Sequence, residues 1–405
     1  MKRVLQLSDI AEYVDDTVRS DSIGLEQYVT TDSLLQNKVG RSLAANLPPK
    51  VASLVAFKKG DTLVANIRPY LKKIWLADCC GGASQDVLVF RAKVGVPQEY
   101  LFATLLQDAF FDYVMKAPKG SKMPRGDESH IMRFPLSQID ISDQRKMGKF
   151  LSSIDRMIEL SRKRIENLEK LAKEIYDYWF VQFDFPDKRG KPFKTSGGKM
   201  VYNAELKREI PAGWLVKRFG DLVSINEGQV NPQKMGDRQL EHYSIPAYDD
   251  SRYPVMERAS SILSNKFKVT AEAFLVSKLN PQFKRLWDPV CVTADAVCST
   301  EFIVCRSKDE INKPFNYGVA DSEAFQIYMR QRSSSSTGSR KRLDPKDILK
   351  FKLAMPLDNV LLNKFNKLAG DCLAMIKESR KGIHDLTQLR EFLLPLLMNG
   401  QAKLR

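Results

Sequence analysis

The chain has 405 residues, with 64 Lys and Arg against 49 Asp and Glu, a formal charge of +15. Its 43% hydrophobic content is enough to bury real cores, which excludes disorder over most of the chain, and at about 150 residues per domain the length suggests two or three domains. No run approaches about 18 apolar residues, which excludes a helical membrane span, and the positive excess points to an anionic partner, most often nucleic acid.

From the N-terminus, Met1 to Asp9 has no apolar stretch of the kind a secretory leader needs. Asp61–Ile67 and Asp86–Phe90 are short β-rich runs bounded by Gly, Pro and charges, and predict strands. Tyr100 to Met115, apolar at Leu101, Leu105, Phe110 and Val114, predicts a helix. From Leu151 an apolar seam runs Leu151, Ile154, Ile158, Ser161, Ile165, Leu168, Ala172, Ile175, Trp179, in alternating steps of three and four. This heptad spacing predicts one long helix over Gln144 to Phe180. Asp184 to Lys199, dense in Pro, Gly and Lys, predicts a connector, and Asn203 to Glu209 reads as polar and helical. Phe274–Ser277 and Glu301–Val304 then predict strands, and Asp321–Arg332 a helix. A second seam, Ala369, Cys372, Ile376, Ser379, Ile383, Leu386, Arg390, Leu393, predicts a long helix over Asp358 to Leu394.

Several chemistries lack their residues. No two of the 21 glycines are separated by a single residue, so there is no dinucleotide fingerprint and no glycine loop of an adenosylmethionine site. A phosphate-cradling Gly-x-x-x-x-Gly-Lys is absent as well. His130, His242 and His384 are scattered, and are expected as surface or satisfied core residues rather than as a triad or zinc site. Asn280-Pro281-Gln282-Phe283 is a faint match to the amine-gripping motif of amino-methyltransferases, with one position wrong. Asp187 with Glu205 and Lys207 matches a loose Mg²⁺-nuclease pattern, but that pattern needs its Glu-x-Lys on a buried strand. The six cysteines (79, 80, 291, 298, 305 and 372) form no Cys-x-x-Cys pair and are expected as reduced core residues of a cytoplasmic protein.

The chain is written twice. Pro69-Tyr70-Leu71-Lys72-Lys73-Ile74-Trp75 answers Pro281-Gln282-Phe283-Lys284-Arg285-Leu286-Trp287 at an offset of 281 − 69 = 212. Asp86–Lys93 answers Glu301–Lys308 at 301 − 86 = 215, and Ile158–Leu171 answers Ile376–Leu389 at 376 − 158 = 218, with 7 of 14 residues identical. The slow drift is what small loop insertions produce. Two matched long helices favour pairing with each other or with helices of a partner.

These residues carry a family resemblance over essentially the whole chain. Ile210-Pro211-Ala212-Gly213-Trp214 with Phe219-Gly220-Asp221-Leu222 resembles the opening of a target recognition domain in specificity subunits of type I restriction–modification systems. Gly120–Arg125 and Thr337–Leu343 resemble the segments that close such domains, and Phe134-Pro135-Leu136 with Asp143-Gln144-Arg145 resembles the lead-in to the family's long helix. Ser196–Val201 and Phe392–Gly400 resemble family members too. The second copy departs from the pattern at Pro356-Leu357-Asp358-Asn359, where the second proline and the Glu-Gln are missing.

The resemblance implies an α+β architecture: two tandem mixed α/β target recognition domains, each followed by a long helix, with the two helices packed as an antiparallel coiled coil. The expected division is 1–142, first recognition domain; 143–183, central helix; 184–213, linker; 214–357, second recognition domain; 358–405, distal helix and tail. Each domain would read one half of a bipartite, asymmetric double-stranded DNA target, and the helices would set the spacer and dock two modification (methyltransferase) subunits. S-adenosylmethionine, ATP and Mg²⁺ would belong to the modification and restriction subunits, leaving this chain without a catalytic residue, cofactor or metal. The expected DNA-contacting positions are the repeated cationic loops: Arg68, Tyr70, Lys72 and Lys73 with Asn280, Gln282, Lys284 and Arg285, and Lys119, Lys122 and Arg125 with Arg340, Lys341 and Arg342. Trp75 and Trp287 are expected as core anchors, and Trp179, Phe180, Leu393 and Leu394 as contacts to a modification subunit. The rival readings are a duplicated nuclease using Asp187, Glu205 and Lys207, and a coiled-coil interaction protein without DNA specificity.

Overall fold

A computed structural model describes residues 4–120, 122–226, 228–309, 312–334, 341–357 and 359–404. It divides into two compact units, Met1–Ile158 with Asp385–Arg405, and Glu159–His384, so the division falls inside both long helices.

In the first unit, Leu5–Gln6 pairs antiparallel with Pro135–Leu136 and leads into a four-residue helix, Leu7–Ile10. One antiparallel sheet follows the order Ala11–Tyr13, Val87–Ala92, Thr62–Ala65, Ile74–Leu76. A second runs Thr17–Arg19, Ser53–Phe57, Gly81–Ala83, Tyr28–Val29, antiparallel except for its last pair, where Gly82 lies beside Tyr28 in parallel. Thr62–Ala65 is buried at every position because the first sheet has a layer on each face. Side chains alternate along a strand. Val64, Leu88 and Phe90 therefore pack toward the helices, while Leu63, Ala65, Val87 and Val89 pack toward Val29, Phe57 and Ala83 of the second sheet.

The second unit repeats this scheme. Leu215–Arg218 pairs with Lys352–Met355, and a four-residue helix, Phe219–Leu222, follows. The first sheet runs Val223–Ile225, Phe302–Ser307, Ala273–Ser277, Leu286–Trp287. The second runs Gln229–Val230, Lys266–Lys268, Ala296–Ser299, Gln239–Tyr243, again with one parallel pair, Glu241 beside Ala296, and adds an edge strand, Val255–Arg258. Phe274, Val276, Ile303 and Cys305 face the helices; Ala273, Leu275, Phe302 and Val304 face the second sheet. The duplication is thus a duplication of fold, down to the single parallel step.

Where the sequence predicts one helix over Tyr100–Met115, there are two, Gln98–Leu106 and Asp108–Val114, hinged at an extended Gln107 (φ −64°, ψ 143°). Lys313–Asp321 and Glu323–Arg332 break in the same way at Ser322 (φ −63°, ψ 145°), whose hydroxyl accepts the Phe325 N–H. An acidic residue opens each new helix, where the N–H groups of the first turn favour negative charge. Apolar periodicity runs through the first break and hides it; the helix expected over Asp321–Arg332 starts at the second, and the helix ahead of it, Lys313–Asp321, was missed.

The long helices span Ile141–Tyr176, continued by a wider π-helical turn at Asp177–Val181, and Asn359–Met398. The second runs four residues past its expected end. It passes through Pro395 one turn from its terminus, so only one helical hydrogen bond is lost. Seam residues Leu151, Ile154, Ile158, Ile165, Ala369, Cys372 and Ile376 are buried. Within the first unit Asp155 meets Arg390 at 2.6 Å, and Met147 and Leu151 share a core with Leu394 and Leu397. Within the second, Glu169 meets Arg380 at 2.6 Å, Ile165 packs with Leu373 and Ile376, and Tyr176 lies 6.0 Å from Phe365. From Met147 and Leu151 with Leu394 and Leu397 to Asp155 with Arg390, and from Glu169 with Arg380 to Tyr176 with Phe365, numbers rise on one helix as they fall on the other, so the helices pair antiparallel.

The stretch between the copies is folded rather than loose. Asp184 accepts hydrogen bonds from the Thr195 N–H and hydroxyl, and Phe185 stacks between Phe193 and Trp214. The predicted helix at 203–209 is instead the turn of a hairpin that pairs Met200–Asn203 with Arg208–Pro211. Asn203 Oδ1 accepts from the Glu205 and Leu206 N–H groups, and Lys207 is left-handed at φ 52°. An asparagine side chain that mimics a turn of backbone has won over the helical composition.

Candidate nucleic-acid interface

In the first unit, two loops named from the sequence lie side by side. Arg68 is left-handed (φ 53°) and opens a short 3-10 turn, Pro69–Leu71; its N–H donates to the Pro124 carbonyl at 2.8 Å, and Ile67 bridges to Arg125. Arg68, Tyr70, Lys122 and Arg125 are exposed. Lys72, also left-handed at φ 50°, turns its ammonium to Asp108 at 2.7 Å, while Lys73 donates to the Thr31 carbonyl. Arg125 pairs with Asp86 at 2.8 Å.

The second unit builds the same construction. Asn280 is left-handed (φ 48°), its N–H donates to the Lys341 carbonyl at 2.8 Å, and Leu279 bridges to Arg342. Lys284 pairs with Asp321 at 2.8 Å, and Arg342 grips Glu301 through two nitrogens, the shorter contact at 2.7 Å. Arg285 holds Asp249 with two bonds, at 2.7 and 2.8 Å. The Asn280 side chain accepts the Lys341 N–H at 3.0 Å, which gives Asn280-Pro281-Gln282-Phe283 a structural task in place of the methyltransferase-like one. Gln282, Phe283 and Lys341 are exposed. Arg340 lies outside the described residues, as does the side chain of Lys119.

The structure therefore brings the predicted loops together in each unit but divides their residues into two kinds. Lys72, Lys73, Arg125, Lys284, Arg285 and Arg342 are engaged by partners within the protein, Arg125, Lys284 and Arg342 while still exposed, whereas Arg68, Tyr70, Lys122, Gln282, Phe283 and Lys341 stand at the surface outside these pairs. The acidic partners Asp86, Asp108, Glu301 and Asp321 were missed. Asp86 and Glu301 open the segment repeated at offset 215, so the signal was present; nothing in the sequence said which cation each would meet. Burial pushes the Asp108 carboxyl up, but hydrogen bonds from Lys38 and Lys72 outweigh it and hold it below its ordinary value.

Trp287 is fully buried, and Trp75 is half-buried beneath Arg41, whose guanidinium lies 4.2 Å from the ring centre. Trp179 and Phe180, expected at a subunit interface, are buried in the second unit's own core against Phe365, Phe315 and Trp214. Leu394 is likewise buried in the first unit and Leu393 packs against the same core. Trp179, Phe180 and Leu394 thus pack within their own units, and Leu393 is partly buried. The apolar groups left exposed near the same helix ends are Tyr178, Val181, Leu389 and Phe392.

The residues of the nuclease-like pattern do not form a metal site. Asp187 Oδ1 accepts the N–H groups of Arg189 and Lys191, both at 2.8 Å, and Glu205 pairs with Lys352. Lys207 sits in the hairpin turn. Among the described residues no three His, Cys, Asp or Glu converge as a metal-ligand group. The histidines have local partners: His130 stacks on Tyr113, His384 on Tyr253, and His242 Nδ1 bonds Glu257 at 3.2 Å, while its Nε2 is buried without a hydrogen-bond partner. All six cysteines are free thiols, but only Cys298, Cys305 and Cys372 are buried; Cys80 is exposed in a turn. A cavity of about 370 Å³ in the second unit is floored by Leu286, Phe365 and Leu373 and rimmed by Glu169, Arg252 and Lys284.

No protein-family model matches the chain. Over 197 residues it is 32% identical to the type I restriction enzyme MjaIX specificity subunit of Methanocaldococcus jannaschii, a match covering 49% of this chain and 43% of that protein. Over 189 residues it is 26% identical to the type I restriction enzyme HindI specificity subunit of Haemophilus influenzae, covering 44% of this chain and 40% of that one. The chain thus spans less than half the length of these curated relatives. In fold it is similar to the S subunit of a type I restriction–modification system from M. genitalium, with a TM-score of 0.61 at 13% identity, over 98% of this chain and 97% of that one. The resemblance read from the sequence motifs is the one these relatives carry.

Proposed function

We propose that this chain is the specificity subunit of a type I restriction–modification complex, a DNA-reading scaffold without chemistry of its own. Each mixed domain reads one half of a bipartite, asymmetric duplex target, and the paired long helices fix the number of base pairs between the halves. Two modification subunits dock on the chain and supply S-adenosylmethionine; restriction subunits bring ATP and Mg²⁺. The observation that carries this reading is the repetition of one loop frame in two domains, with tips of different sequence: Arg68-Pro69-Tyr70-Leu71 in one and Asn280-Pro281-Gln282-Phe283 in the other. Two similar readers with different tips suit two different half-sites. The charge of +15 favours a polyanion, and the names of the relatives point the same way.

The test is methylation of a random-sequence DNA library by the chain assembled with its modification subunits. The expected outcome is modification confined to one bipartite sequence, with none by the chain alone. Methyl transfer or cleavage by the isolated chain, or binding blind to sequence in the complex, contradicts the reading.

A further inference from the structure

The two loop frames share one scheme of ion pairs although their sequences have diverged. The lysines match, at 284 − 72 = 212, but their acids come from opposite sides of the helix break: Lys72 meets Asp108, which opens the helix after Gln107, and Lys284 meets Asp321, the last residue before Ser322. Arg125–Asp86 corresponds to Arg342–Glu301, at 342 − 125 = 217 and 301 − 86 = 215. The acid changes between Asp and Glu while the pairing stays. Both frames also hold a non-glycine residue left-handed at the same place, Arg68 and Asn280, a conformation that side chains rarely adopt, arginine less readily than asparagine. What differs lies between the fixed points: Tyr70 is 51% exposed in one tip and Phe283 58% exposed in the other, each beside a polar neighbour, Arg68 or Gln282.

We infer that Arg125–Asp86 and Lys72–Asp108 in the first domain, and Arg342–Glu301 and Lys284–Asp321 in the second, are positioning pairs that brace the reading loops, and that base choice is carried by the braced tips, Arg68 and Tyr70 in one and Gln282 and Phe283 in the other. The inference rests on the DNA-reading function proposed above. A cation already engaged by a carboxylate brings little net charge to a phosphate. An exposed aromatic ring or a guanidinium on a stiff turn has the apolar surface or paired donors that base edges recognise.

Arg125 and Asp86 carry opposite charges, which makes them the decisive test. In the assembled complex, Arg125→Met and Asp86→Asn are each expected to lower methylation of the cognate target by about threefold to tenfold. The double variant should be no worse than either single one, and the swap of Asp86→Arg with Arg125→Asp should restore part of the loss. The dependence of binding on salt stays that of the wild type, because no phosphate contact is removed; a lost contact would lower the slope by about 0.9. Tyr70→Ala and Gln282→Ala should each relax base preference in one half-site and leave the other intact. Tyr70, Arg125 and Gln282 are exposed and Asp86 is half-buried, and an unchanged thermal melt checks the fold.

If Asp86→Asn binds as well as wild type or better, while Arg125→Met flattens the salt slope, Arg125 touches DNA and the inference falls with the functional reading intact. A wild-type complex that methylates without sequence preference overturns the functional reading, and this inference with it.

Discussion

Arg390 occupies a seam position where heptad spacing asks for an apolar side chain, and it is 5% exposed. Burial pulls its pKa down, but Asp155 at 2.6 Å and Glu391 at 3.0 Å outweigh that and hold the guanidinium charged. A buried pair adds little against a well-packed apolar one, yet losing one partner is expensive. Arg390→Met alone is expected to cost about 2–4 kcal/mol in urea unfolding, and adding Asp155→Leu to recover most of it. Equal losses in the single and double variants would refute this. His242 gives a second residue-scale test. Burial holds its pKa below 6.5, more strongly than Glu257 raises it. As pH falls below about 6.5 the unfolded chain takes up this proton first, so the stability due to neutral His242 is complete above that pH and declines beneath it. His242→Gln should flatten that decline in melts recorded from pH 7 down to pH 5, and an unaltered profile would assign the pH dependence elsewhere. Ion partners such as Asp321 for Lys284 stand 37 residues apart and follow from the close approach of two loops, so no spacing rule finds them. The cationic loops themselves were legible because they recur.

At the scale of elements, the close approach of the first long helix to Gln98–Leu106 depends on Gly148. A Cβ there would lie 2.9 Å from the Tyr100 nitrogen and 3.1 Å from Glu99 Cβ. The matching position of the second copy, 148 + 218 = 366, solves the same contact differently: Asn366 accepts the N–H of Phe315, the residue that matches Tyr100 at 100 + 215 = 315. Gly148→Ala gains about 1 kcal/mol of helix propensity but forces backbone apart, and is expected to destabilise the protein by about 1–2 kcal/mol overall, read from the denaturant midpoint. A stabilised variant would show that the contact yields. The long helices were legible because a three–four seam over more than thirty residues has few alternatives. The break at Gln107 was not, since the apolar face continues across it, nor was the helix Lys313–Asp321 that ends at Ser322, and the hairpin turn at 204–207 turns on one asparagine side chain. The two central strands of each inner sheet were legible as short apolar runs, but the shorter strands flanking them were not; nor was the parallel step in each second sheet, because it joins residues more than fifty positions apart.

For the whole molecule, the decisive pattern is that both units are built alike and that each contains a stretch of both long helices. Among the described residues no helix is long and apolar enough to cross a membrane. If the helices set the spacer, seven residues added after Ile158 and seven after His384 preserve the seam and lengthen each helix by about 10 Å, near three base pairs of duplex. Mapping methylated adenines should then find the same half-sites about three base pairs farther apart, and an unshifted spacing would detach the helices from that role. The matched fastenings beneath the loops carry one more consequence. Because Arg68 and Asn280 leave their strands through the same left-handed corner, and the same kind of carboxylate clasps the chain on either side, the four residues from that corner are interchangeable parts. If those tips choose the bases, a gene that doubled could recode one lobe by rewriting a dozen nucleotides there, leaving its supports untouched, and new targets need not await the rebuilding of a domain.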